Sequence, residues 1–583
     1  AAGSAGCLGG TPGTSLFLPG GVMTISGFGA AGAAGCAIAD GSSAPAVSDG
    51  TLPGPAGGTA EGMAFAEGPS REESGLILPS DYPNHFAAIT PDKQALVFGS
   101  YSWTYAQLDR ACDAAVSLLA EHGVSAGGRV AYMGKNNDLF FVLLIGAIRA
   151  GAVMVPVNWR NTAPETRYVL EDSAVSLIVA DSEFSGIIKE ADSRGLPLLL
   201  ADADGPQGLR SRIAAAAPAP RIPLDPCAPC LQLYTSGTTG RPKGVVTSQY
   251  ALGIARYIEN VSGFFADWGD DEALLSPLPS FHIGGMSWVC TALVRGGTAH
   301  VIADTNPAVI LDNCLEHRIT RTFIVPTLVR ALIGEMDARG VRAPSLRGIH
   351  YGAASMDPAL LERSVDRLGC RFLQYYGMTE VTGTMSILGP DQHDASNPHL
   401  LRSVGRPLPG FSIAIRGPNA ELLPIDAPGE IWVKGPGILI EYWNKPEATA
   451  EALIDGWYRS GDGGRLDKDG YLFLTDRIKD MIVSGGENVY PAEVEAVLRD
   501  HPAILDCAVF GLPHPKWGEG VTAALELRSG HEVNLEEVIA FARKSLAAYK
   551  IPRRIEVGIT LPRTASGKVQ RAAIRKYFLE QAE

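Results

Sequence analysis

From about residue 82 the apolar positions of the chain switch repeatedly between a period of two and a helical period, and the switches mark out the elements. Gln94-Ala95-Leu96-Val97-Phe98 reads as a strand and Gly99-Ser100 as the turn that ends it. Thr104, with Gln107 in register behind it, forms a capping box that opens a helix running through Leu119. A strand at 130–133 follows, then a helix that starts near Asn137, is apolar on almost every side from Leu139 to Ile148, and stops at Gly151. A helix without a polar face belongs between layers. Further strands fall at 153–157 and 177–180, and this succession of strand, helix and strand indicates a parallel sheet covered by helices.

Beyond Gly405-Arg406-Pro407 the pattern turns to short strands between Gly and Pro turns, such as Gly429-Glu430-Ile431-Trp432-Val433, which indicates a small β subdomain. The C-terminal part reads as a small α+β unit. It has a strand at 481–483, a turn at Ser484-Gly485-Gly486, Pro491 at the first position of a helix, strands at 504–510 and 521–527, and a helix over 535–548. The fold class is therefore α/β, with a large N-terminal part of parallel αβ sheets plus the β subdomain, and a small α+β cap.

Composition narrows the function classes. The 583 residues are 46% hydrophobic and 19% charged, which describes an ordinary globular enzyme-sized chain. The longest apolar stretch, 140–157, is interrupted by Arg149, so no integral membrane segment is expected. A net charge of −14 excludes general affinity for nucleic acid, because that needs a basic face. Cys227-Ala228-Pro229-Cys230 lacks a second pair or nearby histidines and reads as two plain thiols, and the odd total of nine cysteines fits a reducing, cytoplasmic compartment. Residues 1–79 are rich in Gly, Ala, Ser and Pro, carry no Lys or Arg before Arg71, and read as a low-complexity, disordered segment. The chain opens on Ala1 with Met23 and Met63 inside that segment, so part of it is expected to be an extension of the working protein; mass spectrometry of the native N-terminus checks this.

Candidate chemistry concentrates at a few loops. After the apolar run Leu231-Gln232-Leu233 comes Tyr234-Thr235-Ser236-Gly237-Thr238-Thr239-Gly240-Arg241-Pro242-Lys243-Gly244. Its glycines let backbone N–H groups turn inward, its hydroxyls donate, and Lys243 or Arg241 can neutralise an anion, so it reads either as a phosphate cradle or as a flexible surface loop. It is not a Walker A loop, since Gly237 and Gly240 are too close and Lys243 is followed by Gly244. Phe281-His282-Ile283-Gly284-Gly285 places one histidine beside glycines at a strand end, either structural or lining a pocket. Gly348-Ile349-His350-Tyr351-Gly352-Ala353-Ala354-Ser355 is a strand running into small residues that let a flat ring approach the backbone. Gln374-Tyr375-Tyr376-Gly377-Met378-Thr379-Glu380 offers a stacking face, a phosphate donor and a hard oxygen ligand for Mg2+, or else a core strand before a helix cap. Asp462 ends a turn, Asp476-Arg477-Ile478-Lys479-Asp480 is a charged cluster of hinge character, and Lys568 sits on a glycine loop where, alone, it would be an ordinary surface lysine.

Together and in this order these segments resemble the adenylate-forming superfamily of acyl-CoA synthetases, adenylation domains of nonribosomal peptide synthetases and firefly-type luciferases, over roughly residues 80–583. The resemblance implies an N-terminal domain over 80–478 and a mobile cap over 479–583, hinged at Lys479. It implies that a carboxylate attacks the α-phosphate of ATP to give an acyl-adenylate, and that the cap then rotates so that a thiol attacks the acyl carbon. By the same resemblance Thr235, Ser236, Gly237, Thr238, Thr239, Gly240 and Lys243 hold the β- and γ-phosphates, Thr379 the α-phosphate and Glu380 Mg2+. Tyr376 stacks on adenine beside Ala354 and Ser355, Asp462 and Arg477 bind ribose, and Gly485 and Gly486 line the pantetheine tunnel. Lys568 reaches the site in the adenylating conformation; it, Thr379, Glu380 and His282 form the catalytic set.

Amino-acid-activating members of that superfamily carry an aspartate where this chain has His282, which argues against an α-amino acid. The pocket wall is expected to include Phe281, His282, Ile283, Gly284, Gly285, Tyr351, Gly352, Gly377, Met378, Thr382, Gly383 and Thr384, small and apolar enough for a fatty, aryl or alicyclic acid. No carrier-protein segment follows Lys568, so coenzyme A is the expected acceptor, with a carrier protein as the alternative, a luciferase as a third reading, and a homodimer as a candidate assembly. A non-enzymatic binding role is disfavoured, because Lys243, Glu380, Asp462, Arg477 and Lys568 are all present.

Overall fold

The computed structural model describes residues 16–18, 21–23, 75–235, 242–352, 356, 358–394, 396–397, 399–477, 480, 482–484, 487–514, 517–546, 548–564 and 569–581. Two large sheets and the helices between them build most of it. The first sheet runs in the order Glu441–Tyr442, Lys243–Ser248, Pro229–Thr235, Val153–Pro156, Arg129–Met133, Leu177–Ala180, Leu198–Leu200. Its interior pairs are parallel, and only Lys243–Ser248 is antiparallel to both of its neighbours. The second sheet runs Arg406–Pro407, Ser386–Leu388, Arg371–Tyr376, Gly348–Gly352, Arg321–Phe323, Ala273–Ser276, Thr298–Val301, Gln94–Phe98, Tyr101–Thr104, again parallel at its centre.

The helix Asp138–Arg149 explains how the two sheets share a core. Every residue of it is buried, Asn137 caps it by accepting from the Phe140 amide at 3.0 Å, and its neighbours in the core come from both sheets. Thr104 and Gln107 form the expected reciprocal cap, at 2.9 and 3.2 Å, and the helix Tyr105–Glu121 that they open packs against it. Two charges are buried with this pair. Arg149 is clamped between Asp109 and Asp113, both at 2.6 Å, and Asp138 accepts from both Arg210 terminal nitrogens at 2.7 Å and from the Trp103 indole at 2.5 Å.

A third sheet, Ser412–Arg416, Gly429–Lys434, Trp457–Leu466 and Leu453–Ile454, with Leu472–Arg477 on the edge of Trp457–Leu466, is the expected β subdomain. The C-terminal sheet holds Glu487–Val489, Ile482–Ser484, Gly518–Leu527 and Ile504–His514, with Arg554–Val557 parallel to Gly518–Leu527, and it has its own apolar core.

Some expectations shift. The helix expected over 535–548 ends at Ala542, and the chain then turns so that Leu546 and Ile551 drop into the cap core. Leu78, two residues ahead of the expected start at residue 80, is buried as well. Within the segment read as disordered, Leu16–Leu18 pairs antiparallel with Gly21–Met23. Cys230 is a buried free thiol, but Cys227 is disulfide-bonded, which corrects its reading as a plain thiol.

Removing Arg210 would leave the Asp138 carboxylate buried without its ionic partner, a change that costs about 3 kcal/mol. Arg210→Ala is therefore expected to lower the stability of the protein by about that amount in urea denaturation.

Candidate functional site

The site forms where strands of the two large sheets end. Thr235 closes Pro229–Thr235, Ser276 closes Ala273–Ser276, Gly352 closes Gly348–Gly352 and Tyr376 closes Arg371–Tyr376. In parallel sheets the strand ends carry loops free of ladder hydrogen bonding, and ligands bind there.

The segment after Tyr376 ties the sheets together. A short 3-10 turn, Thr379–Val381, folds the chain back, with the Gly383 amide donating to the Met378 carbonyl at 3.0 Å and the Met385 amide to Tyr376 at 3.0 Å. The two passes are so close that a Cβ on Gly377 would lie 1.7 Å from the Gly383 carbonyl oxygen. This turn presents the Glu380 carboxylate, whose Oε1 accepts from the Thr235 hydroxyl at 3.1 Å and from the Tyr442 phenol at 3.3 Å. Tyr442 OH also lies 3.1 Å from Tyr458 OH, and burial together with the Glu380 charge pushes the Tyr442 pKa up, so the phenol remains a donor. Opposite Thr235 in the ladder stands Lys243, its ammonium 4.7 Å from the centroid of the Tyr442 ring. At the other end of the segment, the Tyr376 phenol donates to Asp462 Oδ2 at 2.8 Å, and Asp462 stands opposite Arg477 in the β subdomain.

A second loop is fixed by one side chain. The Asn136 amide donates to the carbonyls of Leu278 at 2.8 Å and Ile302 at 3.1 Å, and its oxygen accepts from the Ser280 amide at 2.7 Å. Because Asn136 follows the strand Arg129–Met133 of one sheet and Leu278 follows Ala273–Ser276 of the other, this amide holds the two strand ends together. The loop delivers His282 to the N-cap position of the helix Ile283–Leu293, with the Phe281 ring tilted 50° against it at 4.4 Å between centroids. Burial, reinforced by the charge of Arg160, lowers the His282 pKa to about 4. At neutral pH the ring is an uncharged donor and acceptor, able to hold a carboxylate oxygen through a hydrogen bond.

The sequence-predicted residues divide accordingly. Thr235, Lys243, Tyr376, Glu380 and Asp462 are brought together, and the Thr379 backbone and His282 lie on the adjoining turns. Ser236, Gly237, Thr238, Thr239, Gly240, Ala354, Ser355, Lys479, Gly485, Gly486 and Lys568 lie outside the described residues, as does the side chain of Arg477.

Several pocket residues need correcting. Tyr351 is buried on the opposite face of its strand, its phenol bonded to Gln374 at 3.1 Å and facing His393 at 3.0 Å; strand alternation turns His350, not Tyr351, toward Trp288 and Tyr375. Thr382 is 1% exposed and uses its hydroxyl to join Thr247, at 2.8 Å, to the Gly437 carbonyl, at 2.6 Å. A Cβ on Gly285 would lie 2.5 Å from the Leu278 carbonyl oxygen and one on Gly352 2.7 Å from that of Tyr375, so neither position accommodates a side chain. Gly383 differs: its φ of +113° is one that L side chains rarely adopt, and a Cβ there would find only van der Waals neighbours, Ile283 and Ser287 at 3.6 Å and Arg256 at 3.9 Å. Arg256, Ser287, Asn136, Tyr442 and Phe323, the ring nearest Gly284, were missed. Each is distant in sequence from the motifs, and an arginine or tyrosine inside an amphipathic run carries no local signal of facing a pocket.

The donor set suits a magnesium ion held with a nucleotide. Among the described residues no group of three or more His, Cys, Asp or Glu side chains could hold a metal by itself. One carboxylate, Glu380, with the Thr235 hydroxyl beside it matches the way Mg2+ is bound when phosphate oxygens complete its shell.

The low pKa of His282 has a directly measurable consequence. A histidine that resists protonation in the folded state contributes stability that is complete above its unfolded pKa, near 6.5, and is lost as pH falls toward 4. An NMR titration should place the His282 imidazole midpoint near 4; a midpoint at 6.5 would contradict its burial.

Comparison with known proteins agrees with this architecture. The profile of the AMP-binding enzyme family matches residues 84–443, and that of the AMP-binding enzyme C-terminal domain matches residues 493–568. A feruloyl-CoA synthase from an Amycolatopsis species is 36% identical over 505 residues, covering 85% of this chain and 98% of that protein. The fatty acid–[acyl-carrier-protein] ligase ScoC of Streptomyces coeruleorubidus is 35% identical over 489 residues, covering 84% of this chain and 94% of its own length. Among solved structures, o-succinylbenzoate CoA synthetase (MenE) from Bacillus subtilis with its acyl-adenylate intermediate superposes with a TM-score of 0.76 at 30% identity, covering 85% of this chain and 98% of that one. The chain belongs to the AMP-binding enzyme family, whose members build adenylate-forming sites on this fold.

Proposed function

We propose that the protein is an ATP-dependent acid–thiol ligase that activates a fatty, aryl or alicyclic carboxylic acid as its acyl-adenylate and transfers the acyl group to coenzyme A. The observation that carries this is the convergence of Thr235, Lys243, Glu380 and Tyr442 at the strand ends, with the Tyr376–Asp462 pair on the β subdomain side. A cationic, hydroxyl-rich end and an aromatic end are what a nucleoside polyphosphate requires.

In the first step an oxygen of the substrate carboxylate forms a bond to the α-phosphorus of ATP, the bond to the bridging oxygen breaks, and pyrophosphate leaves. Thr235, the loop 236–240 and Lys243 grip the leaving group, Thr379 donates to the α-phosphate, and His282 orients the attacking carboxylate. Glu380 is the residue that would hold Mg2+, which when bound neutralises phosphate charge. Lys568 supplies a fixed cation to the α-phosphate as negative charge develops there, the kind of electrostatic term that dominates such reactions. In the second step the thiol sulfur attacks the acyl carbon, AMP leaves, and the thiol proton is lost to solvent.

The division into an N-terminal domain over 80–478 and a cap over 479–583, hinged at Lys479, belongs to this proposal, as do a CoA tunnel at Gly485 and Gly486, adenine contacts at Ala354 and Ser355, ribose contacts at Asp462 and Arg477, a homodimer and a cytoplasmic location. Among the described residues no helix is long and apolar enough to cross a membrane. The similarity to ScoC keeps a carrier protein as the second acceptor to be tested.

Pyrophosphate release should appear when the purified protein is given ATP, Mg2+ and a panel of fatty, aromatic and alicyclic carboxylates. A CoA thioester detected by mass spectrometry supports CoA as acceptor, and loading only of a carrier protein transfers the assignment to it. Lys568→Ala should slow adenylate formation at least about 100-fold while sparing attack of CoA on supplied acyl-adenylate; equal loss in both steps would overturn the rotating cap.

A further inference from the structure

Behind the Met378-to-Gly383 turn lies a buried polar cluster that the nucleotide side of the site does not use. Arg256, on the helix Gln249–Val261, is 4% exposed and pairs through Nη2 with Glu259 at 2.6 Å and through Nη1 with the Ser287 carbonyl at 3.2 Å. Among the described residues its buried Nε has no hydrogen-bond partner, and neither has the buried Ser287 hydroxyl. Buried donors of this kind are rarely left unmade, because an orphan is costly. Both residues neighbour Gly383: a Cβ there would lie in van der Waals contact with Ser287 Oγ at 3.6 Å and with Arg256 Nη2, the nitrogen bonded to Glu259, at 3.9 Å.

Charge in the cluster is also incomplete. Glu259 faces two cations, Arg256 and Arg295, and Arg295 makes its own hydrogen bonds to oxygens of Asn260, Thr291 and Arg256 rather than to a carboxylate. Burial lowers the Arg295 pKa only to about 10, so it stays cationic at neutral pH and the cluster keeps a net positive charge. Such a place favours an oxygen that accepts hydrogen bonds.

The distance fits a substrate. His282 caps the helix on which Ser287 stands, and the intervening residues span about 7.5 Å of helix axis, the scale of an aromatic ring with a short linker. Ile283 Cγ1 lies 3.6 Å from the same Cβ position, so an apolar tail entering beside His282 would pass Ile283 and Gly383 before it met the polar pair.

We propose that the acid activated by this enzyme carries an oxygen at the end of its tail remote from the reacting carboxylate, a hydroxyl or a second carboxylate, and that Arg256 Nε and Ser287 Oγ bind it. This rests on the acid-activating function proposed above. Arg256 and Ser287 are specificity-determining residues in this scheme, acting on the tail and not on the reacting atoms.

The test compares kcat/KM for pyrophosphate release by the full chain in two series: cinnamate against 4-hydroxycinnamate and 4-carboxycinnamate, and octanoate against 8-hydroxyoctanoate and suberate. An oxygen-bearing acid should exceed its parent by about tenfold or more in at least one series, and whether hydroxyl or carboxylate wins identifies the group. Ser287→Ala and Arg256→Lys should each bring that ratio back toward one; Ser287→Ala, which removes no charge, decides the matter should Arg256→Lys fail to fold. Parents turned over as well as their oxygenated analogues in both series, or a ratio unmoved by Ser287→Ala, would overturn the inference while leaving the ligase function standing. Failure of every carboxylate to release pyrophosphate would overturn both.

Discussion

The structure turns on the Glu380 carboxylate. One of its oxygens accepts from Thr235, at the end of a strand in the first large sheet, and from Tyr442, on a neighbouring short strand, while its own backbone is carried by the chain leaving the second sheet. A carboxylate bonded in this way joins the two sheets at the point where their strands end. Such a hydrogen bond, made by a charged acceptor, is worth about twice a neutral one. The contact also leaves a hard anion beside a lysine and two hydroxyl donors, so the interaction that closes the fold is the one that prepares the site.

The surroundings of that contact are arranged to keep it in register. Asn136 holds the loop of His282 to both sheets, and the Gly377–Gly383 approach leaves the turn around Glu380 no room to slide. Tyr376 extends the same connection to Asp462 and so to the β subdomain. Three sheets thus meet around one short segment. Among the described residues several buried polar atoms have no hydrogen-bond partner, and two of them, Arg256 Nε and Ser287 Oγ, belong to residues that neighbour Gly383, which is why that pair reads as half of a recognition site.

Most of the architecture was legible from period and punctuation. The capping box at Thr104 and Gln107, the buried helix after Asn137 and the β subdomain around Gly429 all follow from local rules, because capping and amphipathicity act within a turn or two of chain. The end of the helix at Ala542 was not legible, since Leu546 leaves helical geometry to fill a core built from distant strands. Among candidate site residues, Glu380, Thr235 and Lys243 stand out in their motifs, whereas the side of the strand to which Tyr351 turns does not: a strand inside two layers buries both of its faces, so its apolar pattern does not say which neighbour lies on which side.

By itself, then, the amino-acid sequence determined the elements, their order, the α/β class and the loops that carry chemistry, because these depend on propensity, period and short-range caps. Only the tertiary structure decided that Glu380 meets Thr235 and Tyr442, that backbone carbonyls crowd Gly285 and Gly352, and that Arg256 and Ser287 stand beside Gly383. Those contacts join residues separated by long stretches of chain. What brings them together is the crossing of two sheets over shared helices, a geometry that no local pattern encodes.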